Sequence, residues 1–299
     1  MMSDDLGFFI SLLFNGVSIG LMYALIALGF VLVYKATDAI NFAQGEFVML
    51  AGLIVVSMLG FEGMPLIVAI AVVFAAMIGF GFGLERVVLR PLLGRPVVAV
   101  IMATIGLAAM IRGLGPVIFG SETRALTLPI GDEPIALGPA TLPPIQVLGA
   151  VVTIVFFLAF SWFFKKSRMG VAMRAVADNQ QVAQAMGINV ERYFALAWAM
   201  AGIVSALGGI VWGGMLGVDV QLALVGLKVF PVVILGGLDS IGGAIVGGLI
   251  IGVVESLAAG YLDPYVGGGT KDFAPYVLMI VMLMVRPYGI FGRRQIERV

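Results

Sequence analysis

Long apolar runs separated by short polar interruptions organise this chain. A helix that crosses a bilayer needs about 20 mostly apolar residues for a hydrocarbon core about 30 Å thick. Runs of that kind occupy Phe8–Tyr34, Ile40–Leu59, Pro65–Leu84, Val97–Phe119, Ile145–Phe164, Tyr193–Leu216, Ile241–Leu262 and Phe273–Phe291. A further run, Leu222–Leu235, is shorter and holds Lys228 and Pro231. It reads as a ninth crossing, a broken helix or a re-entrant segment, and irregular backbone at membrane depth survives only where protein or a cavity encloses it. The pattern predicts an all-α, polytopic membrane protein of eight to nine transmembrane helices. Residues 1–299 form one transmembrane domain, with a polar loop over 165–192.

The periodicity changes inside that loop. From Arg174 to Gly187 it is helical: Ala175, Val182 and Met186 share one face, with Asp178, Gln181 and Gln184 largely on the other. Gly187 is placed to end the helix, since only glycine takes the left-handed conformation cheaply. Such a helix either lies on lipid headgroups or docks into a soluble partner. A polar face built from Asn and Gln rather than Lys favours docking.

Composition narrows the function classes. Hydrophobic residues make up 61% and charged residues 11%, less than half the roughly 25% of a soluble domain. So few charges do not cover a soluble surface, and the chain is too apolar for disorder. With neither Cys nor His, disulfides, thiolate or imidazole metal sites and His-based catalysis are excluded. Seventeen cations balance seventeen anions, so nothing points to nucleic acid. There is no phosphate-binding G-x-x-x-x-G-K-[ST] sequence, and Gly267–Lys271 lacks the required order. We expect no catalytic residue, metal or cofactor here, so any ATP that drives this protein is bound by another chain.

Charge position gives orientation. Lys35, the Arg86/Arg90/Arg95 group, the Lys165/Lys166/Arg168/Arg174/Arg192 group and the Arg286/Arg293/Arg294/Arg298 group hold 13 of the 17 cations. All fall on one side if Leu222–Leu235 crosses, which by the positive-inside rule is the cytoplasm. The N-terminus is then outside and the C-terminus cytoplasmic. The acidic flank Met1–Gly7 and the length of the first run argue against a cleaved signal peptide.

Pairs of glycines four apart recur at Gly16/Gly20, Gly79/Gly83, Gly209/Gly213, Gly243/Gly247 and Gly248/Gly252. They let helix backbones approach, within one subunit or against a second one. Glu46, Arg112, Lys228 and Glu255 lie at membrane depth, where each charge costs about 2.5–3.5 kcal/mol on insertion scales. They form structural ion pairs or line a solute path, and with Asn41 and Gln44 we take Glu46 and Glu255 as the path candidates. Helical spacing sets Asn41, Gln44 and Glu46 on different faces.

Several stretches together carry a resemblance: Tyr23–Gly29 followed by Ile40-Asn-Phe-Ala-Gln-Gly-Glu46, Ala177-Asp-Asn through Met186-Gly-Ile-Asn189, Gly236-Gly-Leu-Asp-Ser-Ile-Gly-Gly243, and the tail Arg286-Pro-Tyr-Gly-Ile-Phe-Gly292. Over nearly its whole length the chain resembles the inner-membrane permease subunits of branched-chain amino acid ABC importers, of the LivH type. Gln44 stands where His is frequent in that family, which leaves it a packing role. The resemblance implies the ABC importer permease fold in a bacterial inner membrane. It implies a second permease subunit, two cytoplasmic ATPase subunits that bind ATP, and a periplasmic substrate-binding protein. Asp178, Val182, Met186 and Gly187 would then belong to the helix that couples to the ATPase. Leucine, isoleucine and valine are the expected solutes, with urea or short amides as the alternative. A stand-alone secondary transporter and a membrane scaffold are the competing classes.

Overall fold

The computed structural model describes residues 2–92, 95–131 and 133–292. Arg293, Arg294 and Arg298 of the last cation group, and Asp132, lie outside the described residues. The helices are α1 (Met2–Thr37), α2 (Gln44–Leu59), α3 (Leu66–Leu84), α4 (Val97–Phe119), α5 (Pro144–Lys166), α6 (Arg168–Asp178), α7 (Gln180–Ala185), α8 (Val190–Leu216), α9 (Leu224–Gly236), α10 (Ile241–Tyr261), α11 (Asp263–Val266) and α12 (Thr270–Val285). α3 runs on through a π turn, Glu85–Leu89, and a 3-10 turn, Arg90–Leu92. The all-α expectation holds, with one addition, a small hairpin of β1 (Ile135–Leu137) and β2 (Ala140–Leu142) that pairs Ile135 with Leu142.

By length and composition, six helices among the described residues are able to cross a membrane, and Gln44–Leu59 and Val220–Gly236 are shorter apolar helices. The run at Leu222–Leu235 is helical throughout, a 3-10 turn over Val220–Ala223 leading into α9. The second run starts later than its hydrophobicity suggests. α1 ends where Asp38 takes a left-handed backbone (φ 53°) and its N–H bonds the Tyr34 carbonyl at 2.8 Å. Ile40–Ala43 is not helical, and α2 begins at Gln44.

The chain forms two compact units. The first comprises Met1–Ala27, Leu128–Thr153 and Lys228–Val299, and the second Leu28–Thr127 and Ile154–Leu227. In the first, α1 and α10 meet glycine to glycine. A Cβ on Gly16 would lie 2.8 Å from the Gly252 carbonyl oxygen, and one on Gly248 would lie 2.8 Å from the Ala24 Cβ. Gly243 and Gly247 of α10 lie as closely against the backbone of α9. The tail folds back here too: the Ile290 and Phe291 N–H groups donate to the Leu235 and Gly236 carbonyls at 2.9 and 3.1 Å.

In the second unit α8 packs against α2 and α3. Gly209 faces α2, where a Cβ would lie 2.6 Å from the Val48 carbonyl oxygen. Gly81 and Gly202 open the contact between α3 and α8 in the same way. Phe47, Phe80 and the fully buried Trp198 fill the space between these helices, with ring centroids 5.2 and 6.0 Å from that of Phe47. Four of the five glycine pairs thus pack within the chain, or in the case of Gly213 against the Val218 side chain. Gly79 and Gly83 face open space on α3.

Candidate functional site

The irregular segment before α2 explains why Asn41–Glu46 is so polar. The Phe42 N–H donates to the Thr104 hydroxyl, at 3.3 Å, and Thr104 lies seven residues into α4. That is about 10 Å along its axis at 1.5 Å per residue. Non-helical backbone at such a depth needs internal partners, and the side chains supply them. Asn41 Oδ1 accepts from the Ala43 N–H at 3.1 Å, Asn41 Nδ2 donates to Gln44 Oε1 at 3.1 Å, and Gln44 Nε2 donates to the Ser205 hydroxyl at 3.0 Å. Asn41, Gln44 and Ser205 are all fully buried. Gly29 leaves room for the Gln44 amide. The separate faces expected for Asn41 and Gln44 are therefore corrected: Asn41 precedes the helix, so helical spacing does not govern the pair. Their amides are spent on each other and on Ser205.

Glu46 points elsewhere. Its carboxylate accepts from Arg112 Nη2 of α4. The Glu46 side chain is 5% exposed and that of Arg112 44%, so one partner is enclosed and the other reaches the surface. The neighbours Met110 and Leu114 on α4 are exposed and apolar.

Glu255 belongs to the first unit. Lys228 Nζ bridges Glu255 Oε1, at 3.2 Å, and Asp272 Oδ1, at 2.8 Å. The sequence did not single out Asp272, which reads as a loop acid; its signal is its place in the first turn of α12. Nearby, the Thr270 hydroxyl and the Thr270 N–H, the latter at 2.8 Å, both donate to Asp263 and hold its carboxyl below the usual range.

The polar loop is built from capped pieces. Ser167 caps α6 by accepting from the Gly170 N–H at 2.9 Å. Arg174 donates to the Phe164 carbonyl at the end of α5 and lies over the Phe164 ring, 5.5 Å from its centroid. The single helix expected from Arg174 to Gly187 is two: Asn179 is extended (φ −159°, ψ 108°), ends α6, and caps α7 by accepting from the Val182 N–H at 2.9 Å. Asn competes with the helical backbone through its own side chain, which makes it a cap rather than an interior residue. The break takes Ala175 off the α7 surface. Gly187, at φ 81°, ends α7, and the bonds Gly187 N–H to Gln184 O and Ile188 N–H to Ala183 O, both 3.0 Å, complete a Schellman turn. Ala183 is the buried side of α7, while Val182 and Met186 are 57% and 78% exposed. Gln180 Nε2 ties α7 to the end of α1 through the Ala36 carbonyl, at 3.1 Å. Asp178 and Gln184 are exposed.

Comparison with known proteins places this architecture. Residues 12–285 match the family model described as branched-chain amino acid transport system / permease component. Two high-affinity branched-chain amino acid transport system permease proteins LivH, from Salmonella typhimurium and Escherichia coli K12, are 33% and 34% identical, with both chains covered completely. The permease protein BraD of Pseudomonas aeruginosa is 33% identical over 96% of this chain and 97% of its own. With its apolar helices, its buried intramembrane polar network and its full-length match, this multi-pass membrane protein belongs to the branched-chain amino acid transport system permease family.

Proposed function

We propose that this chain is the membrane-spanning subunit of an ATP-driven importer that carries leucine, isoleucine and valine across a bacterial inner membrane. The observation that carries the reading is α7: a capped helix anchored to α1, with Val182 and Met186 turned outward. A short helix held at both ends transmits a rigid displacement, and exposed apolar residues supply docking energy. The partners that fit are two cytoplasmic ATPase subunits at α7, a second permease and a periplasmic binding protein. The chain then hydrolyses nothing itself. ATP binding would drive alternating access only by favouring one of the two states.

Orientation follows from the cations. In the second unit Lys35 and Phe164, Met173 and Tyr193 line one small cavity, and Arg90 pairs with Glu191 at 3.2 Å. The cation groups before α4 and around α6 to α8 therefore gather at one end of this unit, which supports a cytoplasmic face there and, through α1, an outside N-terminus; the cytoplasmic C-terminus rests on the cation pattern of the sequence alone.

For the solute path, the Glu46–Arg112 pair is the stronger candidate. A guanidinium half-exposed among apolar neighbours on a spanning helix is costly against lipid, so it faces water or the second permease. Its remaining N–H groups suit a carboxylate. Glu255 with Lys228 is the candidate in the first unit. Asn41 and Gln44 shape the backbone around Glu46 instead of meeting solute.

The test is uptake by vesicles holding all subunits, with ATP inside and the binding protein outside, offered leucine, urea and short amides. ATP-dependent accumulation of leucine supports the reading. Accumulation of urea or amides alone replaces the solute, and uptake without ATP replaces the mechanism.

A further inference from the structure

Beside α7 the second unit holds a cavity of about 220 Å³. This is smaller than the roughly 300–1,000 Å³ of sites for drug-sized ligands and suits a small metabolite. Its charges fall into two sets. Glu85, 1% exposed, is satisfied by Arg90, whose Nε and Nη2 donate at 3.2 and 3.0 Å. Asp38 and Arg95 line the same cavity, and among the described residues neither side chain has a hydrogen-bond or ion-pair partner. Trp198 also lines it, and its buried Nε1 has no acceptor. An unmet buried donor is uncommon in a native interior. Leu89, Val97, Val100 and Phe194 supply apolar wall.

A free cation, a free carboxylate, an unmet donor and an aliphatic surface are the complement of a zwitterionic amino acid with an aliphatic side chain. The lining is also mechanically placed. Gln180, which ties α7 to α1, is one of its residues, and the π turn Glu85–Leu89 is another part of it; such turns recur at functional positions.

We propose that this cavity senses imported product: an aliphatic amino acid binds it from the cytoplasm, its carboxylate on Arg95 and its ammonium on Asp38, and slows further import by holding α7. The proposal rests on the importer reading and on α7 facing the cytoplasm. Inhibition requires that the amino acid bind more tightly to the state in which Gln180 holds α1 than to the state that follows.

The test uses the complete complex in liposomes, with ATPase subunits and ATP in the lumen, and labelled leucine with the binding protein outside. The lumen is preloaded with unlabelled leucine or with 4-methylpentanoate, which keeps the carboxylate and chain but lacks the ammonium. The expected result is a several-fold fall in initial uptake with lumenal leucine and none with 4-methylpentanoate. Arg95→Gln and Asp38→Asn leave uptake into unloaded vesicles unchanged and raise the half-inhibiting leucine concentration about tenfold, the loss of one charge-assisted hydrogen bond. Asn tolerates the left-handed backbone at position 38, and Arg95→Lys keeps the charge and most of the inhibition. Equilibrium dialysis of labelled leucine against the purified wild-type complex without binding protein gives saturable binding. Full-rate uptake into leucine-loaded vesicles, or variants as sensitive as the wild type, overturns the sensing site while leaving the importer intact. No uptake into unloaded wild-type vesicles overturns the importer reading itself.

Discussion

Removing one half of an intramembrane ion pair is more damaging than removing both, and the Glu46–Arg112 pair is where that asymmetry is testable. Arg112→Met leaves a carboxylate enclosed without a partner. The expected loss is about 3 kcal/mol, the lower end of the range for breaking a buried pair, because Arg112 is half-exposed. Glu46→Leu with Arg112→Leu restores much of that stability but leaves uptake lost if the pair serves the solute. Thermal unfolding of the purified subunit, read beside uptake, separates the two effects; a double variant with wild-type uptake would remove the pair from the path. At Asp263 the sign is fixed by its lowered carboxyl. A depressed carboxylate stabilises above its unfolded value and loses that contribution as pH falls through the folded one. Protection of the Thr270 amide from hydrogen exchange should therefore weaken as pH drops below about 4, and Asp263→Asn should flatten the profile. The sequence showed which residues at depth are charged, but not that Glu46 meets Arg112, because that pairing depends on how α2 and α4 pack. Asn41 and Gln44 stood out in the sequence because they are polar at depth; the sequence did not show that Asn41 accepts from the Ala43 N–H while Gln44 links it to the Ser205 hydroxyl.

Hydrophobic runs located most of the helices. They missed the late start of α2, since Ile40–Ala43 is apolar enough to extend the run while Asp38 and Asn41 turn the backbone away from it. They also merged α6 and α7, because Asn179 fits the amphipathic pattern and its capping geometry is visible only in three dimensions. The motifs Gly236–Gly243 and Arg286–Gly292, far apart in sequence, become one feature where the tail bonds to the end of α9. At this scale the glycine contacts make a prediction. Gly252→Leu puts a branched side chain against the backbone of Gly16 and Gly20, and overpacking of this kind costs about 1–3 kcal/mol or more. Gly79→Leu, on open surface, should leave the isolated subunit's melting temperature unchanged. Equal losses from both would show that α1 and α10 are not in close contact. Gly187→Val should loosen α7 by penalising its left-handed turn while leaving membrane insertion normal, as read by cell fractionation and complex yield.

As a whole, the molecule is a multi-pass membrane protein of a transport permease family, and the absence of Cys from its sequence makes its orientation directly testable. A Cys introduced at Gln184 should resist impermeant thiol reagents on intact cells, and one at Tyr265, exposed on α11, should react. The reverse labelling would invert the topology and move α7 away from the cytoplasm. The most direct measurement of the account is ATPase docking through α7. The Val182→Asp/Met186→Asp variant replaces both outward apolar residues with charge and leaves the spans untouched. Purified from membranes, it should retain far fewer ATPase subunits than the wild type and show no solute-stimulated ATP hydrolysis. Wild-type retention and stimulation in that variant would contradict the coupling role of α7.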